Sequence, residues 1–254
     1  MKRILSIIAA LLLTLTAAWA QPSGNWTDVG NYASEYKSQV DDGWYLDIHI
    51  ENAAQLARLA YEINNTENLI KRHLRLFLDD DIDLSSHYWI PISFEPYNGF
   101  SSLKLDGQGH TISGMTVNNQ VKAGLFGYLR GSSCYVQNLT IKGANISGST
   151  TEYAGFIAGH IRISDVNDCT VEDSKCELTG SSTLYMGGVI GRGEYTVLGR
   201  TLNTNKVINT KLIANRENVI GGGIIGSITS ASDGNGSYLD LYDSHSNVDI
   251  SCGS

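Results

Sequence analysis

Hydrophobic and polar positions alternate in short runs along most of the chain, and one stretch alone carries helical spacing. Residues 43–50 (GWYLDIHI) place Trp44, Leu46, Ile48 and Ile50 on one face and Tyr45, Asp47 and His49 on the other, which predicts a half-buried strand. In the following ENAAQLARLAYEIN, Leu56, Leu59, Ala60 and Ile63 fall at i, i+3, i+4 and i+7, with Asn52 and Gln55 spaced as a capping box. This predicts one amphipathic helix that stops at Asn64-Asn65-Thr66. Alternation resumes in HLRLFL, where Leu74, Leu76 and Leu78 share a face. A single helix ahead of a strand-rich chain reads as a lid, because the open end of a sheet stack would expose core and unpaired backbone.

From residue 123 a unit recurs: AGLFGYL at 123–129, AGFIAGHI at 154–161, GGVIGRG at 187–193 and GGIIGSI at 222–228. The closing glycines Gly127, Gly159, Gly191 and Gly226 stand 32, 32 and 35 residues apart. A period of this size predicts a solenoid or an array. Two further short segments follow each box, VQNLTIKG and ANISG after the first, separated by Gly, Asn, Ser and Asp. Three alternating strands per period predict the triangular coil of a parallel β-helix, with coils stacked at ~4.8 Å. The apolar pairs Leu125-Phe126, Phe156-Ile157, Val189-Ile190 and Ile224-Ile225 would stack inside, and the box glycines would turn the corners with positive φ. Residues 103–117 (LKLDGQGHTISGMTV) read as a variant coil, and no proline follows Pro96 to deprive an interior strand of its amide proton. GFIAG is one residue longer than GLFG, which predicts a bulge in the second box. A β-propeller repeats at about 40 residues with an aromatic blade signature that is missing here. The expected fold class is all-β: a right-handed parallel β-helix of five or six coils, three strands per coil, over 74–254, behind a short N-terminal strand-helix cap within 21–73.

The boxes GLFG, GGVIG and GGIIG, with LDGQGHTISGMTV, the opening WYLDIHIENAAQLARLAYEIN, and DIDL and WIPI, resemble the GLUG-motif β-helical proteins exported by Bacteroidetes. The same motif repeats in some IgA-peptidase-like surface proteins. The resemblance covers roughly residues 43–254. It implies a pectin-lyase-like β-helix and an adhesive or surface-binding module, and it carries little about activity.

The beginning of the chain adds a location. Lys2-Arg3, an apolar run from Ile4 to Leu15 and Ala18-Trp19-Ala20 form the three parts of a cleavable signal peptide over residues 1–20. The run is shorter than the ~20 residues a bilayer requires. The expectation is export to the extracellular space, cell surface or periplasm, with no transmembrane segment in the mature chain. A net charge of −8 lacks the basic footprint of a nucleic-acid binder. Cys134, Cys169, Cys176 and Cys252 form no CxxC pair, so they read as small buried residues rather than a metal or redox site, with their disulfide state open.

Candidate chemistry is sparse. The six histidines form no HExxH, so the peptidase activity of the IgA-peptidase-like relatives has no counterpart. Asp79, Asp81 and Asp83 match positions 1, 3 and 5 of a calcium loop, but Leu84 and Ile90 stand where glycine and glutamate belong. They are calcium candidates that read equally as the solvent face of a strand. Tyr88, Trp89 and Tyr97 are sugar-stacking candidates, with Trp89 expected to pack under the cap. Asp165 with Asp168, and Glu172 with Asp173, are the acid pairs a glycosidase would need; His160 and Arg162 form no recognisable substrate clamp. Gly221–Gly223 and Asp106–Gly109 read as turns rather than phosphate loops. The expected function is a non-catalytic secreted or cell-surface repeat protein, adhesin-like, binding an extracellular glycan or a host or bacterial surface protein, with no catalytic residue and no cofactor. The alternatives are a carbohydrate-active enzyme, lyase or glycoside hydrolase, on a β-helix, and a scaffold segment of a longer surface protein.

Overall fold

The computed structural model describes residues 22–41, 44–195, 200–230, 239–240 and 244–253. The predicted signal peptide, residues 1–20, lies outside the described residues. Parallel strands stack into a β-solenoid of about six turns, the parallel β-helix that the repeat predicts.

The coil beginning at Lys122 shows the plan: strands Lys122–Ala123, Phe126–Arg130, Tyr135–Gln137, Thr140–Lys142 and Asn145–Gly148. Each pairs in parallel with its counterpart one coil on, as in Ala123↔Ala154, Phe126↔Ala158, Val136↔Val166, Ile141↔Val171 and Ile146↔Cys176. The three expected segments are all present, yet two of them are divided by a corner, so that five short strands make one coil. The second segment breaks at Asn138, with φ 53°, as it does at Gln108 and Asp168 in the coils on either side, also at 53°. Asn and Asp tolerate this left-handed conformation through short polar side chains.

The box glycines are needed for a different reason from the one expected. Gly127, Gly159, Gly191 and Gly226 have no left-handed φ. A Cβ on Gly159 would sit 2.8 Å from the Ala123 nitrogen and 2.9 Å from the Tyr153 oxygen; one on Gly191 would sit 2.7 Å from the Ala154 nitrogen. The strands on the two sides of the box corner touch backbone to backbone, and only hydrogen fits between them. The bulge expected in the second box is also elsewhere. GFIAG pairs with GGVIG without a slip, from Ala158↔Ile190 to His160↔Arg192. The first box is the short one, and the irregularity falls between Phe126 and Tyr128 against the strand Ile92–Phe94.

Four walls result. The short wall holds Lys122–Ala123, Tyr153–Ala154, Leu184–Gly187 and Val219–Gly222; the box wall holds Ile92–Phe94, Phe126–Arg130, Ala158–Arg162, Ile190–Tyr195 and Ile225–Ser230. The long wall runs from Tyr45–Ile50 through His73–Leu78, Ser102–Asp106 and Tyr135–Gln137 to Asp165–Asn167. The bent wall contains the remaining pairs, joined where Lys206–Asn215 spans both halves. Inside, apolar rows rise rung by rung: Leu105, Val136 and Val166; Ile112, Ile141 and Val171, all buried. Each such side chain contributes about 1.5–3 kcal/mol by leaving water.

The helix Ala53–Asn65 closes one end, burying Leu56, Leu59, Ala60 and Ile63. Asn52 Oδ1 accepts the Gln55 N–H at 3.0 Å, and the Gln55 side chain accepts the Glu51 N–H at 2.7 Å, one residue earlier than a strict capping box. At the other end of the helix, Asn64 Nδ2 donates to the Pro91 oxygen at 3.1 Å while its Oδ1 accepts the Ser93 N–H at 2.9 Å. One side chain thus occupies the edge of the first box-wall strand, which would otherwise be open to pairing. The strand Tyr45–Ile50 already belongs to the long wall, in register Leu46↔Leu74 and Ile48↔Leu76, so the solenoid reaches back into the segment expected to be cap. Trp44 precedes that strand and is 70% exposed, not on its buried face. Cys134, Cys169 and Cys176 are buried and Cys252 is exposed; burial pushes the Cys169 thiol up to about 12. Among the described residues no helix is long and apolar enough to cross a membrane.

Candidate functional site

Strand alternation sends every second side chain outward, and parallel register stacks those side chains into columns. Along the short wall the register forms the column Lys122, Tyr153, Tyr185, Ile220, one residue ahead of the first two boxes and two ahead of the last two. The position after each closing glycine forms Tyr128, His160, Arg192, Ser227 on the box wall, and two residues further on stand Arg130, Arg162, Glu194, Thr229. Because the glycines bring the two walls into backbone contact, these columns merge into one face. Tyr153 and Tyr185 stack with ring centroids 5.4 Å apart and planes at 7°; His160 lies 5.2 Å from Tyr153 and 5.0 Å from Tyr128. The Lys122 ammonium stands 4.2 Å over the Tyr128 ring, and the Arg192 guanidinium 5.1 Å over that of Tyr185.

Glu194 is the one acid at the centre of this face. Its carboxylate stands 3.1 Å from Arg192 Nη2, 3.4 Å from His160 Nε2 and 4.0 Å from Arg162 Nε. The His160 contact lacks hydrogen-bond alignment. Both ring nitrogens of His160, and the Nε atoms of Arg162 and Arg192, are buried without a hydrogen-bond partner in the protein. Burial pushes the His160 imidazole down to about 4; Glu194 opposes the shift, while Lys122 and Arg192 add to it. The ring is therefore neutral at pH 7, and the remaining charges are Lys122, Arg162 and Arg192 against Glu194.

The depressed imidazole has a consequence for stability. An unfolded chain holds its histidine proton up to about 6.5, the folded chain only below about 4, so the unfolded state binds more protons in that window. The contribution of the neutral ring is complete above pH 6.5 and is lost as the pH falls through 4. Urea titrations at pH 7 and pH 4 should differ by about 2 kcal/mol on account of this group. His160→Phe, which retains the ring stack, should remove that part of the slope; an unchanged slope would assign it elsewhere.

The residues predicted from sequence fall outside this face. Asp79 pairs with His49 at 2.9 Å, Asp81 accepts the Thr111 N–H at 2.8 Å, and Asp83 accepts the Ser85 N–H at 2.9 Å. Each carboxylate fixes its own corner, and among the described residues no three His, Cys, Asp or Glu side chains gather as metal ligands. Trp89 is fully buried, its Nε1 donating to the Leu125 oxygen at 3.0 Å, so it cannot stack on a ligand. Tyr88 is half-buried and bridges Asn25 and Thr116 through its backbone. Tyr97 is exposed beneath the Lys71 ammonium, 4.7 Å away, and the three aromatics form no common platform.

The acid pairs are held in other interactions. Asp165 accepts the Thr201 N–H at 2.8 Å; Asp168 lines a shallow hollow with Asp106 and Asn138. Burial pushes the Asp106 carboxyl up, but donors on Gln108, Gln137 and Asn138 outweigh it and hold it below the usual range. Glu172 lies 2.8 Å and Asp173 3.8 Å from Lys142 Nζ. Asp173 and Lys142 also line a groove of about 1160 Å³ between Pro22-Ser23 and the bent wall, together with Asp83 and Lys175.

The tyrosine, histidine and arginine columns escape a linear reading because their members are about one period apart. Aligning the boxes on their closing glycines would have exposed Tyr128-His160-Arg192 and Tyr153-Tyr185. Comparison with known proteins adds no relative: no family model, no curated protein and no solved structure matches this chain.

Proposed function

We propose that this chain is an exported, non-catalytic surface module that binds glycan through the tyrosine-histidine-arginine face. The observation that carries the reading is the stacked pair Tyr153–Tyr185, two half-buried rings in register on successive rungs. The outer edges of such a ring ladder offer apolar C–H area to a sugar while the neighbouring N–H and O–H groups take its hydroxyls. Sheet register holds the rings in place before any ligand arrives, so little side-chain entropy is lost on binding. An open ladder spreads contacts over several rungs and favours a repeating ligand through avidity. The GLUG-like boxes and the signal-like residues 1–20 support placement outside the cytoplasm.

A glycan array probed with the chain from residue 21 onward tests this, paired with assays for reducing-end and unsaturated-sugar release. Binding without product release is the expected result, and Tyr153→Ala/Tyr185→Ala should weaken it by at least about tenfold, on the scale of one ring stack per tyrosine. Undiminished binding by the double variant would remove the face from the function. The groove with Asp83, Lys142, Asp173 and Lys175 favours one other reading, a carbohydrate-active enzyme. Product release that disappears in Asp173→Asn would transfer the function there.

A further inference from the structure

We infer that the ligand of this face is an anionic polysaccharide, which runs along the edges of the Tyr153–Tyr185 ladder and whose carboxylate or sulfate groups are held by Arg162 and Arg192. The inference rests on the glycan-binding reading and names the class of glycan. Its first support is a cluster of unmet donors. Buried polar groups in folded proteins are almost always hydrogen-bonded, and an orphaned one costs about 1–3 kcal/mol. Here His160 Nδ1 and Nε2, Arg162 Nε and Arg192 Nε are all orphaned. Of these atoms His160 Nε2 stands 3.4 Å and Arg162 Nε 4.0 Å from the Glu194 carboxylate, which Arg192 meets through Nη2 at 3.1 Å. The His160 side chain is only 10% exposed and points into the cluster, between two tyrosine rings.

Charge is the second support. Lys122, Arg162 and Arg192 face a single carboxylate, on a chain whose net charge is −8. Lys122 pairs with no acid among the described residues, and the neighbouring Arg130 is neutralised separately by Glu95. An acidic protein has therefore gathered uncompensated positive charge beside its aromatic ladder. Glu194 orients Arg192 through Nη2, and the Arg192 side chain remains 23% exposed. The planar guanidinium fork matches the two oxygens of a carboxylate or sulfate, which a neutral hydroxyl cannot reproduce. Neutral His160 supplies one donor and one acceptor, suited to a sugar hydroxyl next to the anionic group.

The test is affinity electrophoresis of the chain from residue 21 onward in gels containing polygalacturonate, dextran sulfate or neutral dextran. Retardation by a polyanion and none by dextran is expected, weakening as salt rises. Arg162→Gln/Arg192→Gln should lower the affinity at least about tenfold, with thermal melts to show that the variant is folded. Lys122→Gln, a single change at the rim, should lower it about threefold and gives an answer even if the double variant does not fold. Retardation by polygalacturonate alone assigns carboxylate, and by dextran sulfate alone, sulfate; both support the inference. Binding of neutral dextran that is lost in Tyr153→Ala/Tyr185→Ala but untouched by the arginine and lysine changes overturns it and leaves the glycan-binding reading in place. Polyanion binding indifferent to all three cations also overturns it. No binding to any glycan, here or on the array, overturns both.

Discussion

Gly191→Ala should cost about 4 kcal/mol of folding stability, while Gly221→Ala, 30 residues further on, should stay within about 0.5 kcal/mol of the parent. A methyl group at 191 would stand 2.5 Å from the Gly159 oxygen and 2.7 Å from the Ala154 nitrogen. These are backbone atoms of the preceding rung, one on its box-wall strand and one on its short-wall strand, and they cannot retreat without breaking ladder hydrogen bonds. At 221 the nearest atom is the Met186 oxygen at 3.6 Å, ordinary contact, and φ is not left-handed. Urea unfolding at constant m measures both. Similar losses at the two positions would mean that glycine acts in the box through chain flexibility and not through close approach.

Trp89→Ala should cost a similar amount, about 4 kcal/mol, by opening a cavity under the helix-capped end. Trp89→Phe keeps most of the volume and removes the indole N–H from the Leu125 carbonyl, which still accepts the Ile92 N–H at 3.0 Å, so about 1 kcal/mol is expected. Glycan binding by folded Trp89→Phe should equal that of the parent, because the indole is fully buried. Binding lost in a folded variant would return Trp89 to the role of sugar platform that sequence suggested for it.

The architecture was legible because it is periodic. Four boxes at 32, 32 and 35 residues predict stacked coils whatever side chains face outward, and the Leu56-Leu59-Ala60-Ile63 stripe predicts the cap in the same way. Single-residue corners were not legible: Asn138 turns the chain without interrupting the alternation of its neighbours, so one predicted segment became two strands. The misreading of the box glycines has a related cause. Composition shows that a position requires glycine, but not whether φ or a neighbour's backbone imposes it. Of the acids Asp79, Asp81 and Asp83, read as the solvent face of a strand, only Asp83 lies in one, and their separate partners His49, Thr111 and Ser85 depend on side-chain direction. The binding face was hidden because its contacts, such as Tyr153 to Tyr185, join residues that the chain keeps a full period apart.

In this solenoid the glycine and apolar positions of each box are committed to packing, whereas the columns beside them differ from rung to rung: Lys, Tyr, Tyr, Ile on one and Tyr, His, Arg, Ser on the other. The two sets of positions answer to separate constraints. Mutation can therefore rewrite the face one rung at a time with little effect on folding, and duplication of a single period would lengthen it by one rung. Such a protein can follow a changing ligand by exchanging cartridges in a fixed magazine.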